Sequence, residues 1–86
     1  MIERFKLTEE QIEFLKKEYP EDELIKTVLD SKINGTFVVN TDTEIDLLDY
    51  LEDESVYWMD KNQEATPKTY MLESIRDSIY YQMSES

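Results

Sequence analysis

Ser31-Lys32-Ile33-Asn34-Gly35-Thr36-Phe37-Val38-Val39-Asn40 is the stretch on which the fold class turns. Asn34-Gly35 is a tight-turn dipeptide, because both residues accept a positive φ at low cost. Thr36 to Asn40 follows with β-branched and aromatic side chains and no charge, the strongest strand signal in the chain. A strand needs a partner for its backbone N–H and C=O groups. Ser31 to Ile33 can fold back on it as a minimal hairpin. Ile2 to Leu7 is the other candidate, since Glu3, Phe5 and Leu7 alternate with Ile2, Arg4 and Lys6. Both pairings remain open at this level.

Helical patterns lie on either side. Thr8-Glu9-Glu10-Gln11 is a capping box, with Leu7 and Ile12 placed for a hydrophobic staple. Ile12, Leu15 and Tyr19 then share one face, with Phe14 beside them, until Pro20 stops the helix. Pro20 is expected to open a second helix at its first position, with Glu21, Asp22 and Glu23 in the first turn. Leu24, Ile25, Val28 and Leu29 form its apolar stripe, and it should end near Asp30. After the strand, Thr41-Asp42-Thr43-Glu44 repeats the capping-box pattern and predicts a long helix from about Asp42 toward Asp60. Residues 60–65 make a polar link. Thr66-Pro67 starts a last helix carrying Met71, Leu72, Ile75, Ile79 and Met83, with 84–86 expected to fray. The fold class expected is α+β, a small single acidic domain over residues 1–86. About four helices dominate it, with one or two short β-strands near 36–40; an all-α bundle is the alternative.

Composition narrows the chemistry. The 86 residues (10.3 kDa) include neither Cys nor His, and Gly35 is the one glycine. No thiol nucleophile, imidazole base or Ser-His-Asp triad can be written. Cys- and His-ligated zinc sites, P-loops and GxGxxG turns are excluded as well. No cofactor is expected. The start of the sequence shows no apolar signal region, and the longest apolar run, Val56 to Met59, is far too short to span a membrane. A cytoplasmic location is the expectation. The net charge of -12 repels nucleic-acid phosphates and anionic lipid, so neither is an expected partner and a basic protein is.

That charge is concentrated. Residues 42–60 hold eight acids and no base, two-thirds of the net charge. A helix advances about 100° per residue. With Asp42 at zero, Asp46 falls near 40°, Asp49 near -20°, Asp53 near 20° and Asp60 near 0°. Five aspartates thus share one narrow face, while Leu47, Leu51 and Trp58, then Leu48 and Met59, occupy the opposite side. Tyr50 and Tyr57 fall beside the acids, at about 80° and 60°, where their rings can anchor a partner. The candidate partner-binding residues are therefore Asp42, Asp46, Asp49, Tyr50, Asp53, Tyr57 and Asp60. A charge run is ordinarily a solvated helix face, which is the stronger reading of the stripe alone; its concentration in one segment is the sole reason to set a basic-partner surface beside it.

Other constellations are weaker. Asp42, Glu44 and Asp46 alternate like the start of a calcium loop, but its Gly and Glu positions hold Leu47 and Asp53. Paired carboxylates can do acid–base work only with one in an apolar pocket, whereas the acids here fall on faces expected to be exposed, so no enzyme is expected. Ile79 and Met83 are expected to pack inward while Tyr80 and Tyr81 partly cover the core, rather than to dock a partner. The leading functional expectation is a non-enzymatic module that occupies a basic surface of another protein. Its sharpest form is inhibition of a nucleic-acid-binding protein by phosphate mimicry. The alternative is a small structural or homo-oligomeric protein that associates through the apolar and aromatic residues of its last two helices. In size, acidity and lack of cysteine the chain resembles inhibitors carried by phages and mobile elements, anti-restriction and anti-CRISPR proteins among them. That likeness is one of composition and no motif carries it.

Overall fold

A computed structural model describes residues 1–84, and the side chains of residues 1–82. The elements in chain order are β1 (Ile2–Phe5), α1 (Glu9–Glu18), α2 (Glu23–Asp30), β2 (Lys32–Ile33), β3 (Thr36–Asn40), α3 (Thr41–Tyr57) and α4 (Pro67–Ser84). The class is α+β, with four helices on a small antiparallel sheet. Both pairings of the central strand form: the sheet order is β1-β3-β2. Asn34 (φ 52) and Gly35 (φ 84) take the positive φ that the two-residue hairpin demands. The inward position expected of the Met83 side chain lies outside the described residues. Of the fraying expected at 84–86, Ser84 is instead the last residue of α4, and 85–86 lie outside the described residues.

Register sorts the sheet into two faces. Glu3 stands opposite Val39 and Phe5 opposite Phe37, all on the helix side. Ile2, Arg4 and Val38 are on the other side. Phe5 and Phe37 stack with centroids 5.4 Å apart. Leu15, Ile25, Leu47, Leu51, Leu72, Ile75 and Ile79 close over them into one core. α4 returns along α3. It starts where the Thr66 hydroxyl donates to the Trp58 carbonyl (2.7 Å) and ends where Gln82 exchanges hydrogen bonds with the backbone of Lys6 just past β1.

The caps hold in part. Thr8 and Gln11 form the reciprocal box (3.1 and 3.0 Å), and Pro67 takes the first position of α4. α2 begins later than expected. Asp22, not Pro20, sets its start, accepting from the Ile25 N–H at 2.9 Å, and Pro20 lies in the turn before it. α3 begins one residue earlier in frame. Asn40 is its N-cap, accepting from the Thr43 N–H at 2.7 Å. Thr41 thereby becomes the first helical residue instead of the cap. Its N–H and hydroxyl bond the Met1 carbonyl (3.0 and 3.2 Å), and the hydroxyl also reaches Glu3 Oε1 at 3.0 Å. An N-cap Asn typically contributes about 1 kcal/mol. Asn40→Ala is therefore expected to lower unfolding stability by about that amount. Asn40→Asp, which keeps the acceptor, should be nearly neutral; urea denaturation at constant m-value reads both.

Candidate functional site

The one-residue shift of frame decides which side chains α3 shows to water. The exposed residues of the helix are Asp42, Ile45, Asp46, Asp49, Glu52, Asp53, Val56 and Tyr57. On the helical wheel they fill a continuous sector from about -80° to about 60°, measured from Asp42. Glu44, Leu47, Leu48, Leu51 and Ser55 fill the buried sector opposite. The acids Asp42, Asp46, Asp49 and Asp53 form the row expected of them. Among the described residues no ion pair reaches those four. Glu52 meets Arg76 of α4 at 3.8 Å. Apolar side chains bracket the row, Ile45 (48 % exposed) near its start and Val56 (60 %) with Tyr57 (70 %) near its end.

Two expected members leave the row. Asp60 lies beyond the helix, which stops at Tyr57. There the Trp58 N–H turns back to the Glu54 and Val56 carbonyls. Asp60 instead organises the following turn, its carboxylate accepting from the Asn62 and Glu64 N–H groups at 2.8 and 3.0 Å. Those bonds suit a residue in a loop and remove it from any rigid array. Tyr50 stands about 20° past Tyr57 on the wheel, which is enough to carry it over the rim. It is half-buried and meets Tyr19 edge-on at 5.7 Å. Burial, and the Asp22 carboxylate beside it, push its phenol pKa up. Tyr19 in turn accepts from Trp58 Nε1 at 3.0 Å and meets Phe14 edge-on. Tyr50 therefore belongs to an aromatic cluster that joins α1, α3 and the loop after α3. Tyr57 remains exposed, its ring edge-on to Trp58 at 5.2 Å.

Glu44 is the residue that sequence reasoning missed. Its side chain is fully buried, 0 % exposed, and neither carboxylate oxygen has a hydrogen-bond partner. Burial first, and the nearby Glu3 carboxylate second, raise its pKa from the ordinary 4.5. The signal was available in the helical phase. Glu44 falls at about 200° on the wheel, between Leu47 and Leu48 and in line with Leu51. Reading it as the fourth residue of a capping box assigned its carboxylate to the helix end and hid that position.

The surface cavities lie elsewhere. A groove of about 550 Å³ runs between α1 and α4, lined by Thr8, Glu10, Gln11, Tyr70, Met71 and Ser74 among others. It does not touch Glu44 or the acid row. Among the described residues no group of three or more Asp and Glu side chains is placed to hold a metal ion. No helix there is long and apolar enough to cross a membrane. Compared with known proteins, the chain matches no protein-family model, no curated protein and no solved structure.

The two tyrosines should separate cleanly. Tyr57→Ala removes an exposed ring and is expected to change stability by less than about 0.5 kcal/mol. Tyr50→Ala opens the aromatic cluster and should cost roughly 2 kcal/mol or more. Chemical denaturation of the two variants checks both.

Proposed function

We propose that the protein is a non-enzymatic binding module whose exposed α3 face occupies a basic surface on another protein. The observation that carries the reading is the solvent-facing sector of α3: five acids, no base, and apolar side chains at both ends. Asp42, Asp46, Asp49, Glu52 and Asp53 span about 16 Å of helix axis, or one charge per about 4 Å. One strand of duplex DNA carries a charge per about 3.4 Å of axis. The similar spacing favours the sharper form of the reading. In that form the helix takes the place of a phosphate backbone in a groove lined with Lys and Arg, and so blocks a nucleic-acid-binding protein.

The division of labour follows from exposure. Charges steer the encounter and set the salt dependence, because exposed acids act over a Debye length of about 8 Å at physiological salt. Tyr57, Val56 and Ile45 supply apolar contact area, the part that slows dissociation. Like charges at i,i+3 and i,i+4 destabilise the free helix by about 0.2–0.5 kcal/mol per pair. A basic partner relieves that cost. Catalysis by a raised carboxyl has no place in this reading, since Glu44, the carboxyl with a raised pKa among the described residues, is fully buried.

The test is capture of a partner on the immobilised protein, with duplex DNA as competitor and the triple variant Asp46→Asn, Asp49→Asn, Asp53→Asn as control. The expected result is a nucleic-acid-binding protein that DNA displaces and that the triple variant fails to hold, while the variant itself gains a few tenths of a kcal/mol in stability. Equal capture by the parent and the triple variant would reduce the acid row to a solvated face.

A further inference from the structure

We propose that Glu44 and Glu3 form a proton-sensitive latch between α3 and β1, in which neutral Glu44 keeps β1 docked and its ionisation releases the strand. The latch goes beyond the partner-binding reading and stands whether or not the acid row binds anything.

The geometry begins with β1. The strand has four residues and lies at the edge of the sheet. Glu3 is on its inward face, two residues from the buried Phe5 and opposite Val39. Two donors of Thr41 tie this strand to the first turn of α3: its N–H bonds the Met1 carbonyl, and its hydroxyl proton is shared between that carbonyl and Glu3 Oε1. Glu44 follows one turn later on the inward side, fully buried and with both oxygens unpartnered. Thr41 thus holds the Glu3 carboxylate at the first turn of α3, the turn that leads into the buried Glu44.

Among the described residues neither a hydrogen bond nor an ion pair reaches the Glu44 carboxylate, Lys6 just past β1 included. β3 has no ionisable residue. On β1, Arg4 lies on the opposite face of the sheet, opposite Val38. On α4, Lys68 is held by Glu18 at 2.8 Å and Arg76 by Glu52 and Asp77, while the remaining charge on that helix, Glu73, is another acid. On α2, Lys26 leans toward Glu21, and Glu23 and Asp30 are acids. The charge that acts on Glu44 is the like charge of Glu3. A buried carboxylate with no partner and an anion beside it is strongly disfavoured. A proton on Glu44 removes that penalty.

The sign follows from linkage. Glu44 holds its proton in the docked state at pH values where the same carboxyl, once released to water, has lost it. Docking is therefore fully supported below the ordinary value of 4.5, weakens as pH rises through the window above it, and levels off beyond the raised value. Within that window one proton is linked to opening, so the opening constant rises up to about tenfold per pH unit. β1 is the element that yields, because a short edge strand opens at lower free energy than the helices that form the core.

The test is a carbon-detected NMR titration of the glutamate carboxyls, with native-state hydrogen exchange of the β1 amides corrected for intrinsic rate. The expected result is a Glu44 step above the ordinary carboxylate range and a rise in β1 opening over the same window, with α1 amides unmoved. Glu44→Gln should abolish the pH response of β1. Glu3→Gln should move the step to lower pH, and gives an independent reading if Glu44→Gln fails to fold. A Glu44 step in the ordinary range would overturn the latch. So would a β1 response that is unchanged in Glu44→Gln, or a Glu44 step that does not move in Glu3→Gln.

Discussion

Asn40 is at once the last residue of β3 and the cap of α3, so no linker separates strand from helix. The rotational phase of α3 is therefore set by the sheet. Val39 must point inward beside Phe37, Asn40 must turn to bond the Thr43 N–H, and the residues that follow have no freedom to roll. With the phase fixed, Leu47, Leu48 and Leu51 enter the core, the aspartates leave it, and Glu44 is carried inward with the leucines. The hydrophobic contacts of three leucines outweigh one misplaced carboxyl: each such burial contributes about 1.5–3 kcal/mol. The raised pKa of Glu44 reflects that cost, since burial disfavours the charged form of a carboxyl.

Much of this was readable from the chain. Turn chemistry located the hairpin at Asn34-Gly35, and periodicity located the four helices. The Thr8–Gln11 box and the Thr66-Pro67 start needed nothing beyond local sequence, because caps are local devices. The acid row was also legible, since 3.6-residue periodicity fixes which side chains share a face. Three features were not. The start of α3 lies one residue before the Thr41–Glu44 capping-box pattern, because Asn40, held in place by the strand pairing, takes the cap. The difference between Tyr50 and Tyr57 is about 20° of helical phase, and the partners that cover Tyr50 come from Tyr19 and Asp22, far away in sequence. The end of α3 was set too late, because Asp60 continues the aspartate spacing while the backbone has already turned at Trp58.

The charge distribution and the fold point the same way. Lys68, Arg76 and Lys26 each meet an acid, and none of the bases lies on α3 itself. The helix thereby keeps an uninterrupted anionic face along its whole exposed length. Ile45, Val56 and Tyr57, all outside the core, give that face the apolar contacts that charge alone lacks. Such a surface fits a partner that is basic and at least partly apolar, in line with the contact chemistry of protein interfaces.

The central claim is that this face of α3 makes the contact. Its most direct test is backbone amide chemical-shift mapping of the labelled protein during titration with a captured partner, at low and at moderate salt. Shifts are expected to concentrate on the exposed positions of residues 42–57 and to weaken as salt is raised. Shifts confined to the groove between α1 and α4, or to the outer face of the sheet around Ile2, Ile33 and Val38, with α3 unmoved, would contradict it.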